Sequence, residues 1–88
     1  MRARPEQFFY VAGAVRQPGQ KKFYPGLTLT QAVLAAGGAT TPGAAVAVIS
    51  RQGEDGRLAA TRYDLKVIAD GKTPDPLIQA GDRIEVLR

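Results

Sequence analysis

Apolar and polar positions divide this chain into short stretches of strand period and one stretch of helical period. Residues 8–15 are rich in aromatic and β-branched side chains and predict a first strand. Pro18 and Gly19 then predict a turn, after which residues 20–24 form the return strand of a hairpin. Gly13, inside the first strand, predicts a bulge or a close approach of another backbone segment.

The stretch of helical period follows the hairpin. Its apolar stripe consists of Leu29, Ala32, Val33 and Ala36. Thr28 stands at the N-cap position with Gln31 three residues later, which is the pattern of a capping box. Gly37 and Gly38 end the helix, because glycine adopts the left-handed C′ conformation without a Cβ clash. So short a helix is marginal alone in water, so we expect it to pack on a sheet.

Strand patterns return in the second half of the chain. Residues 44–51 form an apolar run whose central residues can be buried on both faces, which predicts an inner strand. Residues 58–65 pair back across a polar turn at residues 52–56 and form a second hairpin. Residues 66–70 can make one helical turn before a proline-rich connection.

The end of the chain combines a turn with a last strand. Gly81 supplies the positive φ that a tight turn needs, and Asp82 can hydrogen-bond its own backbone two residues on. Charged and apolar residues then alternate over residues 83–87, as in a half-buried strand. The predicted fold class is therefore α+β, a β-grasp (ubiquitin-like) mixed sheet with one crossing helix in the order ββαβββ.

Length and composition bound the classes of function. The 88 residues suffice for one core, and we assign residues 1–7 to a disordered N-terminal segment and residues 8–88 to one domain. The chain has no cysteine and no histidine, which excludes thiol nucleophiles, histidine bases and the usual zinc ligands. The carboxylates do not pair at the spacing of a catalytic dyad, and Ser50 has no base beside it. We therefore expect no enzyme, no metal site and no cofactor.

The net charge of +4 comes from the first half of the chain. Residues 1–44 hold the basic residues Arg2, Arg4, Arg16, Lys21 and Lys22 against Glu6 alone, and the remainder is balanced. Such an excess permits attraction to phosphates, anionic polymers or acidic partners, although basic residues are more commonly a solvated face. Strand alternation predicts that the rings of Tyr10 and Tyr24 point outward, where they can stack on a sugar or a base.

The ordered set of motifs resembles the soluble-ligand-binding β-grasp (SLBB) domain, most closely the version in bacterial outer-membrane polysaccharide export proteins. The matching segments are residues 11–15 with 18–19, residues 27–29 with 35–38, residues 48–51, residues 63–65, and residues 75–77 with 81–86. The resemblance implies a non-catalytic module in the periplasm or at the outer membrane. Such modules stack into rings around a conduit for capsule or exopolysaccharide.

The resemblance also implies partners, namely polysaccharide, neighbouring protomers of an export ring, or both. We expect no nucleic acid, and contact with the membrane only through other parts of a parent protein. An end at Arg88, directly after a strand, favours a domain cut from a longer protein.

The candidate contact surface consists of Arg16, Lys21, Lys22, Tyr24 and Arg51. These residues could donate to sugar hydroxyls, to uronate carboxylates or to a neighbouring protomer, since the arginine fork suits carboxylates. The basic first half supports an alternative, a stand-alone module that binds a small molecule or nucleic acid. The turns and caps are assigned to Gly13, Pro18, Gly19, Thr28, Gly37, Gly38, Gly81 and Asp82.

Overall fold

A computed structural model of the protein describes residues 7–40, 46–53 and 55–87. The elements are β1 (Phe8–Gly13), β2 (Gly19–Lys22), α1 (Leu29–Ala35), β3 (Val46–Gln52), β4 (Leu58–Asp64), α2 (Leu65–Ala69) and β5 (Arg83–Leu87). The predicted α+β class is confirmed as a five-stranded mixed sheet with two helices. Most of the predicted disordered segment, residues 1–6, lies outside the described residues, as do residues 44 and 45 of the third predicted strand.

The order of the strands across the sheet is β2-β1-β5-β3-β4. β1 pairs antiparallel with β2 and parallel with β5, whereas β3 pairs antiparallel with both β5 and β4. The first and last strands of the chain are therefore neighbours inside the sheet, and β2 and β4 are its edges. The prediction that residues 46–51 belong to an inner strand is confirmed.

Helix α1 begins and ends as its sequence predicts. The Thr28 hydroxyl accepts a hydrogen bond from the Gln31 amide at 3.3 Å, and the Gln31 side-chain oxygen accepts one from the Thr28 amide at 3.2 Å. This reciprocal pair is the predicted capping box. Gly37 and Gly38 follow the helix with φ of +85° and +83°, the left-handed conformation expected after the last turn.

The hydrophobic core lies between the helices and one face of the sheet. The helical contribution from α1 and its C-cap is the predicted stripe, Leu29, Ala32, Val33 and Ala36, and all four residues are buried. The sheet contributes Phe9 and Val11 from β1, Ala47 and Ile49 from β3, and Ile84 and Val86 from β5. The expectation that the centre of β3 is buried on both faces is wrong, because only one sheet face is covered. Val46, Val48 and Ser50 on the other face are half-buried.

Gly13 brings two backbone segments together at the centre of the sheet. It has a φ of +88°, and a Cβ atom at this position would overlap the carbonyl oxygen of Val86. The same carbonyl accepts a hydrogen bond of 2.8 Å from the amide of Ala14. The close backbone approach predicted at Gly13 is therefore confirmed, and a side chain there would push β1 away from β5.

The helical turn predicted at residues 66–70 is confirmed as α2, although the predicted order did not count it as an element. Leu65 begins α2 instead of ending β4, because the Asp64 carboxylate accepts hydrogen bonds from the amides of Lys66 and Val67 at 2.9 and 3.2 Å. The acid thereby acts as an N-cap and turns the chain out of the sheet. The order along the chain is consequently ββαββαβ instead of ββαβββ. Within the described ranges, neither helix is both long enough and apolar enough to cross a membrane.

Candidate ligand-binding site on the open face of the sheet

The sheet face opposite α1 is open and carries a row of polar side chains. Residues paired across neighbouring strands point to the same face, so the register defines this row. Gln20 pairs with Tyr10, Tyr10 with Arg83, and Arg83 with Ser50. Strand alternation points Tyr10 away from its buried neighbours Phe9 and Val11 in the sequence. An amide, a phenol, a guanidinium and a hydroxyl therefore follow one another across four strands.

A cavity of about 200 Å³ lies beside this row, and we call it the Arg83 pocket. It is lined by Tyr10, Ser50, Gln52, Leu58, Gly81 and Arg83. β5 begins only at Arg83, and Gly81, two residues before the strand, lines the cavity without a side chain to fill it. The Gly81 amide donates to the Phe8 carbonyl at 2.7 Å, which holds this glycine between β1 and β3. A Cβ on Gly81 would meet no atom within 4 Å, so the space above it is open.

The lining combines one cation with uncharged hydrogen-bonding groups and two apolar surfaces. Arg83 is exposed, and among the described residues its guanidinium forms no hydrogen bond or ion pair. Its cross-strand neighbours, Tyr10 and Ser50, are uncharged. Tyr10 exposes 42% of its surface, and Leu58 is exposed at the far side of the pocket. The site can therefore offer an anionic ligand a charge, hydroxyl and amide groups, and a ring face.

A partly buried ion pair supports the turn that contains Gly81. The Asp82 carboxylate is 1% exposed and accepts hydrogen bonds from Arg51 Nε at 2.9 Å and Nη2 at 2.8 Å. It also accepts a hydrogen bond of 2.7 Å from the Gln79 amide. The hydrogen bonds to Asp82 raise the pKa of Arg51, partly offset by burial, so the arginine remains charged. The pair joins the end of β3 to the start of β5 and fixes two walls of the Arg83 pocket.

The sequence predicted that the Asp82 side chain accepts a hydrogen bond from the backbone two residues later, and this prediction is wrong. Its side chain binds Arg51, 31 residues earlier, and the Gln79 amide, three residues earlier. Arg51 in turn is not a freely exposed donor, because its Nε and Nη2 groups are both directed at Asp82. Its guanidinium stabilises the fold through this pair, although the side chain remains 40% exposed.

The other predicted contact residues lie around the β1–β2 hairpin and do not form one cluster. Lys22 is exposed and lies on the open face, since it pairs with Phe8, whereas Lys21 is half-buried and lies on the opposite face. Tyr24 is exposed beyond the end of β2. Arg16 is exposed in the connection after β1, where its amide donates to the Gly38 carbonyl at 3.1 Å. The structure therefore divides the predicted surface between two faces and a loop.

The turn and cap residues have the backbone conformations their positions require. Positive φ occurs at the predicted glycines Gly13, Gly19, Gly37, Gly38 and Gly81. Pro18 is exposed in the connection between β1 and β2. In the described part of the chain, no three or more acidic side chains are grouped so that they could hold a metal ion.

Apart from Tyr10, whose outward ring strand alternation predicts, local sequence patterns do not indicate the residues of the Arg83 pocket. Ser50 stands out in the sequence only as a hydroxyl without a base, and Arg83 only as an outward position of a strand. Tyr10 and Arg83 meet because β1 and β5 run side by side, although they lie at opposite ends of the chain. The sequence indicates this pair only indirectly. Strand alternation points both side chains outward, and the predicted β-grasp fold places their strands side by side.

Comparison with known families identifies the domain family of the chain. The family model of the SLBB domain matches residues 8–60, which is 53 of the 88 residues. The comparison with curated proteins gives no match. Four of the six pocket residues lie in the matched range, whereas Gly81 and Arg83 lie beyond it.

Proposed function

Because the chain belongs to the SLBB domain family, a family of binding domains, we propose that it is a non-catalytic module of a bacterial polysaccharide export protein. The module has a β-grasp sheet and contributes a surface that faces glycan or a neighbouring protomer. Its place is the periplasm or the outer membrane, where polysaccharide and the other protomers of an export ring are its partners. The strand order β2-β1-β5-β3-β4 with α1 on one face supports this assignment.

The observation that carries the proposal is the open sheet face with the Arg83 pocket. Sites that bind sugars combine an aromatic ring face with hydroxyl, amide and charged groups, because a pyranose has both apolar C–H faces and a rim of hydroxyls. Tyr10, Ser50 and Gln52 supply these groups on one side of the sheet. A polymer can lie along such an open face without having to enter an enclosed cavity.

The chemistry of the pocket supports binding without turnover. None of its six lining residues carries a carboxylate, an imidazole or a thiol. Glycoside hydrolysis ordinarily requires two carboxyl groups on either side of the scissile bond. The lining therefore lacks the pair of carboxyl groups that ordinarily cleaves a glycan.

The alternative of nucleic-acid binding is supported by the exposed Lys22, which shares the open face with Arg83. The two functions differ in their response to salt. Binding dominated by several phosphate contacts loses ~10³-fold or more in affinity between 50 and 200 mM salt. A glycan held by hydrogen bonds, ring contacts and one ionic contact should lose only roughly threefold.

The test is a titration of the purified 88-residue chain with an acidic polysaccharide, a neutral polysaccharide and single-stranded DNA at both salt concentrations. We expect binding to polysaccharide that persists at the higher salt, with no shortening of the polymer on size-exclusion chromatography after long incubation. Binding to DNA alone, with steep loss in salt, would favour the alternative. Shortened polymer would show that the module is an enzyme.

A further inference from the structure

We infer that the Arg83 pocket binds a carboxylate-bearing pyranose, that is, one uronic acid unit of a polysaccharide. This inference rests on the proposed function and adds the chemical class of the ligand and the residues that select it. The carboxylate would bind Arg83, and the sugar ring would lie against Tyr10, with its hydroxyls toward Ser50 and Gln52. None of these four residues belongs to the basic surface expected from sequence.

The first argument is the electrostatic state of Arg83. Its guanidinium is exposed, and its two cross-strand neighbours are uncharged, so its hydrogen-bonding fork is available. The adjacent acid, Asp82, is buried and is already paired with Arg51, which removes it as a competitor. A planar guanidinium binds a carboxylate through two parallel hydrogen bonds, which a neutral sugar cannot match.

Among the described residues, the nearest acidic residue on the open face, Glu85, does not pair with Arg83. Glu85 lies two residues along β5 from Arg83, about 7 Å away on the same face. Its own cross-strand neighbours are Ala12 and Val48, and Arg62 lies beyond Val48 in the same row. Glu85 thus shares its row with Arg62, whereas Arg83 lies in the neighbouring row and does not face Glu85 across a strand pair.

The second argument is the shape of the pocket. Its volume of about 200 Å³ is below the roughly 300–1,000 Å³ of sites that enclose a drug-sized ligand. It therefore suits one ring, with the neighbouring units of a polymer outside it. Gly81 leaves the base of the pocket open, while Tyr10 and Leu58 provide apolar contacts at opposite sides.

The experiment is an NMR titration of the ¹⁵N-labelled 88-residue chain with methyl glucuronide, methyl glucoside and acetate. We expect millimolar binding of the glucuronide, with shift changes concentrated at the amides of Tyr10, Ser50, Gln52, Gly81 and Arg83. Glucoside and acetate should each bind at least fivefold more weakly, because one lacks the charge and the other lacks the ring.

Arg83→Gln tests the inference directly, and Arg62→Gln is its matched control. Both residues are exposed arginines on the open face, and both substitutions remove one positive charge, but Arg62 does not line the pocket. Losing a charge-assisted fork should weaken glucuronide binding at least tenfold in Arg83→Gln. The Arg62→Gln variant should change it less than twofold. If Arg83→Gln fails to fold, Tyr10→Leu replaces it, with an expected weakening of threefold or more.

Four results would overturn the inference. If Arg83→Gln and Arg62→Gln weakened glucuronide binding equally, the loss of affinity would come from the lower net charge and not from the pocket. Shift changes confined to Lys22 and Tyr24 would move the site to the hairpin, and acetate binding as tightly as glucuronide would leave only an anion site. If Arg83→Gln still bound acidic polysaccharide, the Arg83 pocket would not be the uronate site, but the proposed function would stand. If the wild-type chain bound no polysaccharide, the proposal that the module has a glycan-facing surface would be refuted.

Discussion

The ion pair between Arg51 and Asp82 should contribute a large share of the folding stability. Arg51→Ala leaves a 1%-exposed carboxylate with one of its three hydrogen bonds, the one from the Gln79 amide. Removing one partner of a fully buried pair destabilises a protein by about 3–5 kcal/mol. Because the Arg51 side chain is 40% exposed, water can reach the vacated site, and we expect about 2–3 kcal/mol. That is a substantial part of the ~4–13 kcal/mol typical of 88 residues.

The measurement is urea and thermal denaturation followed by circular dichroism, with Arg57→Ala as the control. Arg57 pairs with Asp55 at 3.7 Å, and their side chains are 89% and 65% exposed, so this substitution should change the unfolding free energy by less than about 0.5 kcal/mol. Arg51→Ala should lower the melting temperature by roughly 10–20 °C. If the two alanine variants were equally stable, the reasoning about the buried pair would be refuted.

A double-mutant cycle with Asp82→Asn separates the pair from its surroundings. The two single substitutions should be non-additive by about 1–3 kcal/mol, because each removes the same interaction.

The raised pKa of Arg51 sets the pH dependence. A cation whose folded pKa exceeds its unfolded pKa stabilises the fold at every pH below the unfolded value, and loses that effect only as the pH rises through the folded value. The difference between wild type and Arg51→Ala should therefore be the same near neutral pH and in moderately alkaline buffer.

Three further substitutions test the backbone features of the fold, each by urea denaturation. Gly13→Ala should destabilise the protein by at least about 1–3 kcal/mol more than Gly26→Ala, because both glycines have nearly the same φ, +88° and +89°, but only at Gly13 would a Cβ overlap Val86; equal losses would show that the close approach is unimportant. Thr28→Ala should reduce the unfolding free energy by about 1 kcal/mol through loss of the helix cap, and an unchanged value would mean that the capping box contributes nothing. Asp64→Ala should also reduce it by about 1 kcal/mol by uncapping α2, and an unchanged value would imply that α2 forms without its cap.

Features that depend on neighbouring residues could be predicted from the sequence. The capping box at Thr28 and Gln31, the glycines after α1 and the alternation of the last strand each follow from a few adjacent positions. The start of α2 was less accessible, because its five residues are too few for a clear period and its cap, Asp64, also ends a strand pattern. Whether one or both faces of β3 are buried depends on which faces of the sheet the helices cover. The sequence of β3 alone does not contain that information.

The site could be predicted only in part, because it depends on pairs distant in the sequence. Arg51 is a plausible ligand donor until Asp82, 31 residues later, is placed against it. Arg83 becomes a candidate only when the parallel pairing of β5 with β1 puts it beside Tyr10. The outward parity of Tyr10 was evident in the sequence, whereas its partners required the sheet order.

The parallel pairing of β1 with β5 determines how the module responds to mechanical tension. Pulling on the start of β1 and the end of β5 slides the two strands past each other along their length, since they point the same way. The hydrogen bonds from Gly81 to Phe8 and from Ala14 to Val86, with those between them, then have to break together. A pull that peels β4 from β3 breaks its bonds one at a time. Forced unfolding is governed by the height of the unfolding barrier, so the module should withstand stretching along its central strands far better than peeling from its edge.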